Sequence, residues 1–214
     1  MKSPPPAENA SARISRHIAM HRLPPDRRVW LQPGEHRAVA GPWILSTLLG
    51  SCISACLYDG GSEIAGMNHF LLAGTRYAKT MPINLTDAGR YGINAMELLI
   101  NDMLKLGASK SRIRAKIFGG AIFMPHADDR RFLCVGEVNK RFIHEFLALE
   151  GIATEADDTG GYEGRVIHFH TDSHKVFRRF IRNSQLDAEI AQEEKEALKA
   201  GIIEANEAGT PILF

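Results

Sequence analysis

The chain has 214 residues, 44% hydrophobic and 24% charged, the balance of a soluble globular protein whose core needs no staples. A formal net charge of +1 leaves no electrostatic footprint for nucleic acid, and no apolar stretch approaches the ~18 residues that would cross a bilayer. Three cysteines, Cys52, Cys56 and Cys134, make no even disulfide framework, which points to free thiols in a reducing, cytoplasmic compartment.

Residues 1–28 read as a flexible basic arm. Pro4, Pro5, Pro6 and charge dominate it. It lacks the apolar centre of a secretory signal, and its weakly amphipathic stretch 13–28 reads as solvated rather than membrane-bound. Residues 29–182 carry the patterned elements. The apolar run 43–49 is strand-like until Gly50 and Ser51 interrupt it. Residues 52–58 alternate small and larger apolar side chains, which suits either a buried helix turn or a core strand. Asp59-Gly60-Gly61 is a turn signal, and the apolar run 64–72 beyond it makes a hairpin with the run before. Residues 76–86 are polar and irregular and read as a loop. Ile93, Met96, Leu99, Ile100, Met103 and Leu104 predict a helix over 88–106, ended by Gly107. Residues 113–118 predict a strand running into Gly119 and Gly120, and 138–149 a second helix closed by Gly151. Residues 152–156 predict a strand, Thr159-Gly160-Gly161 a turn, and 165–171 and 175–180 two last strands. Residues 183–214 are acidic, with Glu193, Glu194 and Glu196 among Lys195 and Lys199, and predict a helical C-terminal extension. The sum is a single-domain layered α/β sandwich of mixed, largely antiparallel strands and two main helices.

Within this frame Cys52 follows a glycine bend, Leu49-Gly50-Ser51. Such a bend can aim the backbone N–H groups around Gly50 and Ser51 at one point, as an oxyanion site requires. A thiol of pKa about 8.5 is only a few per cent thiolate at neutral pH and needs a base beside it. His69 lies 17 positions on, in the partner run, where a hairpin brings the two side chains together. The plainer alternative makes Cys52 a small buried hydrophobe and His69 a satisfied core group, and residue type alone leaves both open. Cys56 and Cys134 read as structural thiols, and Cys52 and Cys56 do not have the redox C-x-x-C spacing. His168 and His170 alternate onto one strand face and, with His174 nearby, offer a metal site. No carboxylate is spaced to complete it, and a solvated surface pair is the plainer reading. Gly119-Gly120 comes without the Lys-Ser/Thr of a phosphate loop or a G-x-G-x-x-G pattern, so no cofactor is indicated.

Several segments, in their order, resemble the CheD family, the chemoreceptor glutamine deamidases of bacterial and archaeal chemotaxis. They are Thr47 to Asp59 around Gly50-Ser51-Cys52, Gly66-Met67-Asn68-His69, Arg90-Tyr91-Gly92, Phe118-Gly119-Gly120, Val135-Gly136-Glu137 with Asn139, and Asp158-Thr159-Gly160-Gly161 leading to Gly164-Arg165. The resemblance covers roughly residues 30–182. It implies an α/β sandwich and a Cys-His-Thr catalytic set with Cys52 as nucleophile and His69 as general base. The family's hydroxyl lies six positions before its Cys, which is Ser46 here, with Thr47 as a rival. It also implies conversion of receptor glutamines to glutamate through a Cys52 thioester, with release of ammonia, and the same acyl-enzyme chemistry on receptor methyl esters. The partners it implies are the cytoplasmic domain of a methyl-accepting chemoreceptor and a CheC-type phosphatase that restrains the enzyme. The competing class is a non-catalytic adaptor that docks on chemoreceptors or on such a phosphatase, with Cys52 merely buried. A papain-like protease would need a longer separation between Cys and His. Val138 departs from the family, which commonly carries Arg between the positions of Glu137 and Asn139, and this puts a surface or partner contact in doubt.

Overall fold

The computed structural model describes residues 23–72, 87–122 and 135–181. Most of the N-terminal arm, the 76–86 loop, Cys134 and the acidic C-terminal extension lie outside the described residues.

The two readings of the run at 52–58 resolve in favour of strand. Every residue from Ile53 to Asp59 is buried, the mark of a strand covered on both faces, and its side chains alternate between two cores. Ile53, Ala55 and Leu57 pack toward the helices, whereas Cys56 and Tyr58 pack toward a second sheet. In chain order the elements are β1 (Arg28–Trp30), β2 (His36–Ala40), β3 (Ile44–Leu49), β4 (Ile53–Asp59), β5 (Ile64–Asn68), α1 (Asp87–Lys105), β6 (Ile113–Gly119), α2 (Val135–Leu149), β7 (Ala153–Thr159), β8 (Arg165–His170) and β9 (Lys175–Phe180).

One sheet runs β1-β3-β8-β9 and the other β2-β5-β4-β6-β7. Two pairings are parallel, β1 with β3 and β6 with β7; the other pairings within the sheets are antiparallel. The layers therefore stack as sheet, sheet, helices, an α/β sandwich. Leu45, Leu49, Ile167 and Phe169 meet Val39, Cys56, Met67 and Phe118 between the sheets. On the far side of the five-stranded sheet, Ala115 and Ile117 join Ile53 and Leu57 against Met96, Leu99 and Met103 of α1 and Phe142, Ile143 and Phe146 of α2. The three-and-four spacing of those helical residues sets a single apolar stripe on each helix.

The hairpin of β4 and β5 forms as its pattern predicts, with Cys56 opposite Met67 and Tyr58 opposite Ala65. Its turn is tied down by Asp59. The buried carboxylate accepts bonds from the backbone N–H of Gly61 and Ser109 and from Arg112 Nε and Nη2, at 2.7–2.9 Å. The Arg112 guanidinium holds this carboxyl well below the usual carboxylate range.

Four elements differ from the sequence expectation. Strands β1 and β2 have no counterpart in it: none of the three residues of β1 is buried, and of His36-Arg37-Ala38-Val39-Ala40 only Val39 is, so these edge strands show no run of apolar residues. Helix α2 starts at Val135, three residues before the expected 138. Strand β7 runs on to Thr159 through Asp157 and Asp158, residues of low strand propensity held by parallel pairing with β6.

Candidate active site

Strand parity decides which hydroxyl can reach the imidazole. Leu45 and Leu49 point into the core between the sheets. Thr47 stands midway between them, so it shares their face, and it is fully buried. Ser46 points to the opposite face of the sheet, where its Oγ lies 2.8 Å from Nδ1 of His168, its partner in register. Thr47 Oγ1 lies 2.8 Å from Nδ1 of His69 and donates to the Leu31 carbonyl, also at 2.8 Å. The structure thus brings Thr47, and not Ser46, to His69.

Those two bonds fix the tautomer. A carbonyl only accepts, so the single hydroxyl hydrogen of Thr47 goes to Leu31. Its oxygen then accepts from His69 Nδ1–H. Nε2 is left as the unprotonated nitrogen, buried and without a hydrogen-bond partner in the described structure. Burial pushes the pKa of His69 down to about 4, against a smaller upward pull from the Leu31 carbonyl. The ring is therefore neutral at pH 7. Its peptide is clamped as well: Gly34 N–H donates to the His69 carbonyl at 2.7 Å and His69 N–H donates to that of Glu35 at 2.9 Å.

Cys52 immediately precedes β4 and is wholly buried. The bridge between Ile53 and Phe70 continues the hairpin register, so Cys52 and His69 stand diagonally on one face of the hairpin. Diagonal neighbours are about 7–8 Å apart at their backbones, within reach of each other's side chains. The unbonded Nε2 means that no hydrogen bond joins the pair at rest.

The loop carrying Cys52 is held through its carbonyls. Gly50 O accepts from Ala121 N–H at 2.8 Å, Ser51 O from Asn139 Nδ2 at 2.9 Å, and Cys52 O from Gly120 N–H at 2.7 Å. In a trans peptide the N–H points opposite to the C=O, so the N–H groups of Ser51 and Cys52 are turned away from Ala121 and Asn139. The contact with Cys52 is close enough to require glycine at 119: a Cβ there would lie 2.0 Å from the Cys52 carbonyl oxygen, and its φ is +110°.

The remaining sequence candidates fall elsewhere. Cys56 sits in the core between the sheets, where burial pushes its thiol pKa up. His168 and His170 share one strand face, as alternation requires, but His170 is buried against Phe177 rather than solvated, and His174 stacks on Tyr58. Among the described residues no three His, Cys, Asp or Glu side chains are grouped to hold a metal. Val138 is buried in the core beneath the helices, so that position is interior and not a partner-facing surface. Two groups in the site were not singled out from sequence. The Leu31 carbonyl is backbone and leaves no side-chain signal. Asn139 does leave one, a lone polar residue one turn from Val135 and one turn from Ile143 on the buried stripe of α2.

A thiol and a neutral imidazole with a free nitrogen, on one face of a buried hairpin, are the parts of a cysteine-dependent acyl-transfer site. Comparison with known proteins gives the family. The family profile described as CheD chemotactic sensory transduction matches residues 76–180, a span that begins after His69. The chain is 49% identical over 173 residues to the probable chemoreceptor glutamine deamidase CheD 1 of Geobacter sulfurreducens, covering 80% of this chain and 86% of that protein. To the probable chemoreceptor glutamine deamidase CheD 2 of Shewanella oneidensis it is 38% identical over 189 residues, 87% of this chain and 93% of the other. To the probable chemoreceptor glutamine deamidase CheD of Rhizobium leguminosarum bv. trifolii it is 42% identical over 172 residues, 80% of this chain and 89% of the other. A match of 173 residues in a chain of 214 must run through positions 52 and 69. The chain belongs to the CheD family.

Proposed function

We propose that this protein deamidates glutamine side chains of methyl-accepting chemoreceptors, with Cys52 as nucleophile and His69 as general base and acid. The observation that carries this reading is the imidazole. Thr47 and Leu31 place its proton on Nδ1 and leave Nε2 basic and unbonded on the hairpin face that bears Cys52. Identity to proteins named as probable chemoreceptor glutamine deamidases supports the substrate class.

The steps follow from the parts. Nε2 takes the Cys52 proton as sulfur attacks the carboxamide carbon. The tetrahedral oxyanion takes bonds from N–H groups of the loop at Gly50, Ser51 and Cys52. Nε2 returns the proton to the amide nitrogen, the C–N bond breaks, and ammonia leaves a thioester on sulfur. Water attacks the thioester and gives a proton to Nε2; the C–S bond breaks, sulfur recovers the proton, and glutamate is the product. Thr47 keeps the ring in register throughout. An imidazole held near pKa 4 does not ionise the thiol at rest, so proton transfer accompanies attack. Both groups are buried, so the site must open to admit a glutamine. Catalytic hydrogen bonds commonly tighten only with substrate in place, which suits the absent Cys–His bond. Each turnover adds one negative charge to a receptor helix, enough to alter pairing between neighbouring charges along it.

The receptor region concerned is cytoplasmic, which places the enzyme there; no helix among the described residues is long and apolar enough to cross a membrane. A CheC-type phosphatase as second partner rests on the sequence resemblance alone. The test is ammonia release from a purified receptor cytoplasmic fragment. Wild-type protein releases ammonia and Cys52→Ala does not. Receptor binding with no ammonia from the wild type would leave the non-catalytic adaptor instead.

A further inference from the structure

The hairpin ladder stops one rung short of where it could continue, and a side chain from α2 takes the missing place. Ile53 and Phe70 exchange both backbone bonds, at 3.0 and 2.9 Å. Such pairs recur at every second residue of an antiparallel ladder, so the next rung would join Ser51 to Leu72. The Leu72 N–H instead donates to Asn139 Oδ1 at 2.7 Å, and Asn139 Nδ2 donates to the Ser51 carbonyl at 2.9 Å. The carboxamide offers a donor and an acceptor, as a peptide group does, and both are matched; this also fixes which atom is nitrogen.

We propose that Asn139 is the positioning residue that sets the spacing of Cys52 and His69, by bridging Ser51 and Leu72 in place of a direct ladder bond. Ser51 is the residue before the thiol, and Leu72 lies on the segment that leaves the imidazole. Asn139 is itself wholly buried, on a helix whose flanking Val138, Phe142 and Ile143 are packed in the core, so it cannot shift without the helix. A buried amide without partners is costly, and here both of its bonds end on the two segments of the site. Removing the carboxamide leaves two outcomes for Ser51 O and Leu72 N–H. They bond to each other and narrow the hairpin at Cys52, or they remain unpaired in an apolar setting. Each displaces Cys52 relative to His69. The inference rests on the reading of that pair as catalytic, but the bridge itself does not.

Asn139→Leu keeps the branching and number of side-chain heavy atoms and removes both bonds; Ile143→Val, one turn away on the same buried face, controls for altered packing. At a temperature where both are folded, Asn139→Leu is expected to lower kcat about 100-fold, the scale of an ångström misplacement, with KM for the receptor fragment unchanged. It is also expected to shift the pH profile of Cys52 alkylation by iodoacetamide, while Ile143→Val changes neither. Wild-type kcat and alkylation profile in Asn139→Leu would overturn the proposal. If that variant does not fold, the wild-type protein decides. Through-hydrogen-bond NMR couplings from Asn139 Nδ2 to the Ser51 carbonyl carbon and from Leu72 N to Asn139 Cγ are expected, and their absence overturns it. The couplings and the alkylation profile need no receptor. They therefore stay readable if the wild type releases no ammonia, and failure of the deamidase reading is separable from failure of this one.

Discussion

Ser46 and Thr47 are adjacent in sequence and opposite in space. Position counting from Cys52 favours Ser46, whereas the pleat of β3 turns Thr47 toward His69 and Ser46 toward His168. Thr47→Val removes the acceptor that holds Nδ1–H while keeping the side-chain shape. It is expected to lower kcat on the order of 100-fold, as loss of base orientation does, measured as ammonia release. Ser46→Ala is expected to keep wild-type kcat; a reversed order would return the role to Ser46. The choice was not legible in sequence because two adjacent hydroxyls on a strand differ only in face, and the face is set by what Leu45 and Leu49 pack against. The residue types of Cys52 and His69 were legible, as was their placement on a hairpin. The proton on Nδ1 was not, because it depends on the backbone carbonyl of Leu31.

At the scale of elements, the loop that carries Cys52 is supported from β6 and α2. Gly119 is expected to tolerate no side chain. Gly119→Ala must move either the strand or the Cys52 carbonyl to relieve a 2.0 Å contact at φ +110°, a backbone strain of about 1–3 kcal/mol before the clash itself. A lowered urea midpoint together with lost ammonia release checks it; wild-type values for both would contradict the support assigned to β6. The hairpin turn is a separate case. Asp59→Ala removes four bonds to one buried carboxylate and is expected to cost about 2–3 kcal/mol of stability, read in the same urea titration, with kcat retained in the folded fraction. The two long helices and the strands β3, β5, β6 and β8 were legible from their apolar patterns, and β9 from Val176, Phe177 and Phe180; β4 stayed open between strand and helix turn because its residues are buried on both faces. Strand β2 and the acidic end of β7 were not, because edge strands take their identity from neighbours: β2 from Asn68 and Met67 of β5, and β7 from Phe118 and Gly119 of β6.

At the scale of the whole molecule, the buried histidine makes stability depend on pH. His69 has a folded pKa of about 4 against 6.5 when exposed. The unfolded chain therefore binds a proton that the folded chain refuses between those values. The resulting stability is fully present above about pH 6.5 and is lost as pH falls toward 4, by about 3 kcal/mol in all. His168, His170 and His174 are also shifted down by burial and add to the same slope. The share due to His69 is the difference between wild type and His69→Gln in urea midpoints measured from pH 7 to pH 4.5. Equal slopes in the two proteins would mean that His69 is not held neutral by burial. The layering that buries the histidine follows from the nearly continuous burial of β3 to β5, strands covered on both faces. The order of strands does not, since β3 pairs with β8, far along the chain.

Residue, hairpin and layers serve one proposed reaction, in which a Cys52 thiol and a His69 base, held by the fold, convert receptor glutamine to glutamate. Peptide mapping by mass spectrometry of a chemoreceptor cytoplasmic fragment incubated with the protein tests it most directly. Glutamine-to-glutamate conversion is expected at discrete positions with the wild type and none with Cys52→Ala or His69→Gln. Conversion that persists with Cys52→Ala, or a receptor left unchanged by the wild type, would contradict it.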